Sequence, residues 1–200
     1  MDRSRLFFGA ENAVAVSEFG LFGGGTTGSY STYTDKYTYS GDTVVAGTVL
    51  GLARMYLAAT GNATVGIFGG GLVATRTNYT DKYTYSGNTV VAGTVLALAR
   101  YLLAATGNST VGIFGGGYSS SIANYTDKYT YSGNTVVSGT VLGLARYGLA
   151  ATGNSTVGIF GGGYSSSSTT YTDKYTYSGN TVVAGTVLGL VRSYLAATGN

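Results

Sequence analysis

The stretch YTDKYTYSGN occurs at residues 79–88, 125–134 and 171–180 and returns as YTDKYTYSGD at 33–42, so successive copies lie 46 residues apart. A fixed period of that length restricts a chain to repeat architectures, in which one supersecondary unit buries its faces against copies of itself. Cutting after Val16 leaves four units with no insertion or deletion: 17–62, 63–108, 109–154 and 155–200. Residues 1–16 stand outside the count as an extra N-terminal strand or arm. Their RLFFGAENAVAV resembles a diverged copy of the arginine-led segment described below.

The unit 109–154 reads STVGIFGGG, a variable stretch YSSSIAN, the ten-letter motif, TVVSGTVLGL and ARYGLAATGN. These runs are rich in Val, Ile, Thr and Tyr and end in Gly- or Asn-containing turn signals, which predicts four short strands per unit. The stretch nearest to a helical period, VLGLARYGLAA, is interrupted by glycines that disfavour a helix. SGN and TGN fall where hairpin turns need residues tolerant of positive φ. Strand alternation across 125–131 sets Tyr125, Asp127, Tyr129 and Tyr131 on one face and Thr126, Lys128 and Thr130 on the other. The tyrosine face is expected to pack between adjacent sheets. A carboxylate on that face needs a cation, and Lys128 and Arg146 are the nearest repeated ones. Asp81, Arg100, Asp127 and Arg146 are therefore expected to form structural pairs tying one sheet to the next.

Composition narrows the chemistry. Charged residues are 10% of the chain, and a net charge of +3 without a Lys or Arg run does not support nucleic-acid binding. A surface so weakly charged does little to keep copies apart. His, Cys, Pro and Trp are absent, which removes disulfides and the usual zinc, haem and thiol chemistry. The carboxylates show no spacing that suggests an acid and base pair, GIFGGG lacks the Lys and Ser/Thr of a phosphate loop, and no cofactor is expected. The sequons at Asn62, Asn78, Asn108, Asn124 and Asn154 arise readily in a Thr-rich chain. The first residues do not read as a secretory signal, and no run approaches a membrane span. Synthesis in the cytoplasm without a signal peptide is expected, with a virion or extracellular assembly as a destination.

On these residues the unit resembles a kelch repeat, the four-stranded blade of a β-propeller. Gly115, Gly116 and Gly117 match the family's glycines, Tyr131 its tyrosine and Arg146 its arginine; Gly69, Gly70, Gly71, Tyr85 and Arg100 repeat the match. The family's tryptophan falls on Val44, Val90, Val136 and Val182, which leaves less bulk between blades. The resemblance implies an all-β propeller of four 46-residue, four-stranded blades, each beginning at an arginine-led innermost strand. It also implies a ring closed by pairing of the N- and C-terminal strands. The copper oxidase known on kelch propellers needs His and Cys, so the expectation is a non-enzymatic structural or interaction protein. Such a module would serve a larger assembly such as a phage virion or surface appendage, with other protein chains as partners. The alternative is a glycan- or protein-binding module. Differences between units concentrate after each glycine triplet, and Tyr30, Arg76, Tyr118, Ser119, Tyr164 and Ser165 are the candidate loop surface.

Overall fold

A computed structural model describes residues 18–199. The expected N-terminal arm, residues 1–16, lies outside the described residues. Strands are the regular elements of the described chain. The first sheet holds β1 (Phe19–Gly23), β2 (Thr34–Thr38) and β3 (Thr43–Ala46). The second holds β4 (Ala58–Gly61), β5 (Val65–Gly69), β6 (Thr80–Thr84) and β7 (Thr89–Ala92). The third holds β8 (Ala104–Gly107), β9 (Val111–Gly115), β10 (Thr126–Thr130) and β11 (Thr135–Ser138). The fourth holds β12 (Ala150–Gly153), β13 (Val157–Gly161), β14 (Thr172–Thr176) and β15 (Thr181–Ala184). Every sheet is an antiparallel meander in chain order, three of four strands and the first of three among the described residues. Each complete sheet begins shortly after Arg54, Arg100 or Arg146, so its first strand comes from the end of the preceding sequence unit.

The arrangement is propeller-like. First strands β4, β8 and β12 lie side by side, and a crossover such as 47–57 carries the chain from the last strand of one sheet to the first strand of the next. Three apolar clusters fill the spaces between sheets. Leu50 on the first crossover meets Phe68, Tyr83 and Tyr85; Leu96 meets Phe114, Tyr129 and Tyr131; Leu142 meets Phe160, Tyr175 and Tyr177. Glycine makes this approach feasible: a Cβ on Gly69 would sit 2.8 Å from the Phe114 ring, and one on Gly115 2.7 Å from the Phe160 ring. Val90, Val136 and Val182, where the kelch pattern has tryptophan, are half-buried against these clusters.

The ten-letter motif is a strand and its turn. Asp127, Tyr129 and Tyr131 are buried as alternation predicts, but Tyr125, just before β10, is exposed, while its copies Tyr79 and Tyr171 are half-buried. The opposite face is covered too: Lys82 Nζ donates to Tyr131 O at 2.9 Å and Lys128 Nζ to Tyr177 O at 2.7 Å, each reaching the next sheet. The SGN turns use positive φ, with Asn88, Asn134 and Asn180 at 48–50° and Asp42 at 47°. Their side chains accept hydrogen bonds from the Tyr83, Tyr129, Tyr175 and Tyr37 hydroxyls. The TGN turns work differently. Asn62, Asn108 and Asn154 keep negative φ and fold the chain through Oδ1, which accepts the amides two and three residues on.

At the chain's end, Gly163 N donates to Arg192 O at 2.8 Å and Tyr194 N to Gly148 O at 2.6 Å, so the last segment runs beside β12. Among the described residues β1 pairs with β2 and with no other strand. Among the described residues no helix is long and apolar enough to cross a membrane.

Candidate functional site

Two constellations stand out, and each takes in some of the side chains that the sequence singles out. The first is an ion pair per complete sheet: Arg54 to Asp81 at 2.8 Å, Arg100 to Asp127 at 2.7 Å and Arg146 to Asp173 at 2.6 Å. Asp127 thus belongs to Arg100, 27 residues earlier, and not to Arg146 or Lys128. The arginine enters from the crossover with its backbone held by the preceding sheet's loop, Arg100 N on Thr77 O at 3.2 Å and Gly71 N on Arg100 O at 2.9 Å. Its aspartate sits on the third strand of the sheet that follows, so the pair joins the two. The other carboxylate oxygen adds a second tie to the preceding crossover. Asp81, Asp127 and Asp173 accept the Gly51, Ala97 and Gly143 amides at 2.9, 3.0 and 2.8 Å.

These pairs are inaccessible. Arg54, Arg100 and Arg146 have no exposed surface, and one guanidinium nitrogen of each donates to a backbone carbonyl, of Phe68, Phe114 or Phe160. Arg54 and Arg146 also lie over the rings of Tyr79 and Tyr171, at 5.4 and 5.2 Å. Burial lowers the pKa of each arginine, and its aspartate opposes that shift. Burial likewise raises the Asp173 carboxyl, against the Gly143 amide and Arg146.

The second constellation is aromatic and lies at the inner ends of the sheets. Tyr56, Leu102, Gly148 and Tyr194 occupy one position of the repeat, all with φ between 55 and 60°. Backbone bonds run from Leu102 N to Tyr56 O, Gly148 N to Leu102 O and Tyr194 N to Gly148 O. With Leu57, Leu103, Leu149 and Leu195 they line a hollow of about 250 Å³ to which all four units contribute. Tyrosines continue around it in ring contact: Tyr56 with Tyr101 at 6.2 Å, Tyr101 with Tyr118 at 5.7 Å and Tyr118 with Tyr147 at 5.8 Å. Tyr147 then meets Tyr164 at 5.4 Å and Tyr194 at 6.2 Å. Desolvation, followed by Tyr147, raises the Tyr194 hydroxyl.

Of the six loop candidates, Tyr118 and Tyr164 join this arc. Both are half-buried rungs bridged to Tyr101 and Tyr147 and not loop tips. Ser119 is buried in a tight turn with its amide on Ser121 O, and Ser165 makes the same turn with Ser167. Tyr30 lies apart, beside Met55 and Gly28, and Arg76 is exposed and bridged to Leu72. The loop reading did not include Tyr56, Tyr101, Tyr147 and Tyr194. The signal was there: in RMYL, RYLL, RYGL and RSYL the tyrosine shifts between the first and second position after the arginine, within a segment otherwise nearly copied.

Among the described residues no group of three carboxylates converges to hold a metal ion. No protein-family model matches the chain, and comparison with curated proteins finds no match.

Proposed function

We propose that the chain is a non-enzymatic structural and interaction protein, a kelch-like propeller module that packs against other protein chains in a larger assembly of the kind built in a virion or a surface appendage. The observation that carries this reading is the state of the end sheets: Phe22 is 66% exposed, whereas its copies Phe68, Phe114 and Phe160 are at most 3% exposed. A large apolar side chain presented on a sheet face is a contact surface. The buried ion pairs support the same reading, since they serve packing. Closure of the ring by the chain's own terminal strands would cover such faces within one molecule; the exposed ends favour another chain.

A second reading rests on the tyrosine arc. Continuous aromatic surface edged by serines suits a glycan, whose apolar ring faces stack on tyrosine while its hydroxyls bond to serine. Particle imaging combined with a glycan array separates the two. Rings, stacks or larger arrays with no glycan bound support the assembly reading, and dispersed single chains that bind a defined glycan overturn it.

A further inference from the structure

We propose that the first sheet of one copy docks on the last sheet of a second copy, so that the stack of sheets continues from chain to chain. The inference rests on the assembly reading and deepens it by naming the partner. Each contact between neighbouring sheets recurs with a constant offset, and carrying the register past the last sheet by four units of 46 residues assigns a partner to every group left over.

The phenylalanine of one sheet rests on the glycine that ends the second strand of the sheet before, Phe114 on Gly69 and Phe160 on Gly115. Continued, Phe22 of the second copy rests on Gly161, which meets no aromatic ring within the chain. Lys82 and Lys128 donate to Tyr131 O and Tyr177 O; Lys174, exposed and without such a carbonyl, reaches Tyr39 O. Arg100 and Arg146 pair with Asp127 and Asp173; the exposed Arg192 pairs with the exposed Asp35. The Ala97 and Gly143 amides bond to those same carboxylates; the Gly189 amide takes Asp35. The Tyr129 and Tyr175 hydroxyls lie over Gly93 and Gly139; the Tyr37 hydroxyl lies over Gly185. Apolar surface follows the same rule: Tyr39 is 61% exposed where its copies Tyr85, Tyr131 and Tyr177 are buried, and Leu190 is 63% exposed where its copies Leu52, Leu98 and Leu144 are half-buried.

The two surfaces thus match in shape, charge and register, with a cation facing a carboxylate and a ring facing a glycine. They differ from one another, so the contact is heterologous and builds either a ring of several chains or an open filament.

Two double variants and their mixture test this. A head variant carries Phe22→Asp and Asp35→Arg; a tail variant carries Leu190→Asp and Arg192→Asp. All four residues are exposed, and circular dichroism checks that each variant keeps its fold. Wild-type protein is expected to associate with rising concentration in analytical ultracentrifugation. Each variant alone should associate at least tenfold more weakly, and the mixture should form a one-to-one dimer, because each supplies the surface that the other lacks. If wild type associates and both variants do so equally well, the contact lies elsewhere and the head-to-tail inference is overturned while the assembly reading stands. If wild type stays monomeric at high concentration, the second copy is not the partner; cross-links within single chains between the first and fourth sheets would then show that the ring closes on itself.

Discussion

The third sheet and the first are written in nearly the same letters, TDKYT and VGIFG against TDKYT and FGLFG, yet they live in different environments. In the third, β9 is buried throughout and β10 buries Asp127 and Tyr129; in the first, Asp35 and Phe22 face outward. Since local sequence is nearly constant, the difference is made by neighbours. A sheet in this protein buries its Phe, Asp and Tyr face when another sheet stands before it. The fourth, with none after it among the described residues, still buries Phe160, Asp173 and Tyr175, while the first, with none before it, leaves Phe22 and Asp35 exposed. This is the nearest-neighbour behaviour of repeat proteins.

Paired substitutions in the two sheets measure that difference. Arg100→Met strands a buried aspartate and is expected to cost about 3–5 kcal/mol in denaturant unfolding, while Asp35→Asn, at an exposed group, should stay within about 0.5 kcal/mol. Equal losses at both positions would show that the end sheet is as enclosed as the interior. Phe114→Ala should cost about 3–5 kcal/mol, against less than about 1 kcal/mol for Phe22→Ala in the unassociated chain. Glycine tests the same contacts from the other side. Gly115→Ala drives a methyl into the Phe160 ring and is expected to cost about 1–3 kcal/mol, whereas at Gly161, where the nearest atoms are 3.6 Å away, alanine should be accepted. A cost at Gly161 matching that at Gly115 would mean that a ring already occupies that face.

Alkali probes the interior tyrosines. Burial holds the Tyr85 hydroxyl up to about 12, above the value of about 10 in an unfolded chain. The folded state therefore binds the proton more tightly. The stability this contributes is fully present below about pH 10 and is lost as pH rises through the folded value. Unfolding should coincide with tyrosinate absorbance in that window, and full ionisation with intact circular dichroism would contradict it. The smallest expected effect is at lysine: Lys82→Met removes one charged bond to Tyr131 O for about 1 kcal/mol, and Lys174→Met should be silent in thermal melts of unassociated protein.

Much of this architecture was readable in the residues. The period, the strand and turn in YTDKYTYSGN and the arginine-led start of each sheet follow from β-branched and aromatic runs closed by Gly and Asn, which are local properties. Asp127 shows where such reading stops. Alternation places its side chain on the buried face, but its partner, Arg100, arrives through a crossover whose path is set by how sheets pack. Tyr125 shares that face by alternation yet is exposed just outside β10. The TGN turns were read as positive-φ turns, and their asparagines proved to act through side-chain acceptors, which letter identity does not distinguish. The tyrosines that follow each arginine were hidden by their shift of one position, which breaks the repeat that made everything else visible.

The ladder of backbone bonds from Tyr194 through Gly148 and Leu102 to Tyr56 joins each amide to a carbonyl one full period away. Insertion or loss of a single residue within a unit alters the spacing of the one donor and acceptor that span it, whereas removal of one whole period rejoins the ladder without a mismatch. The gene can therefore change length in steps of 46 codons while each surviving unit keeps its contacts. Near-identical repeats, which promote such unequal exchange, supply the means, and the number of sheets becomes a heritable variable separate from the structure of any one of them.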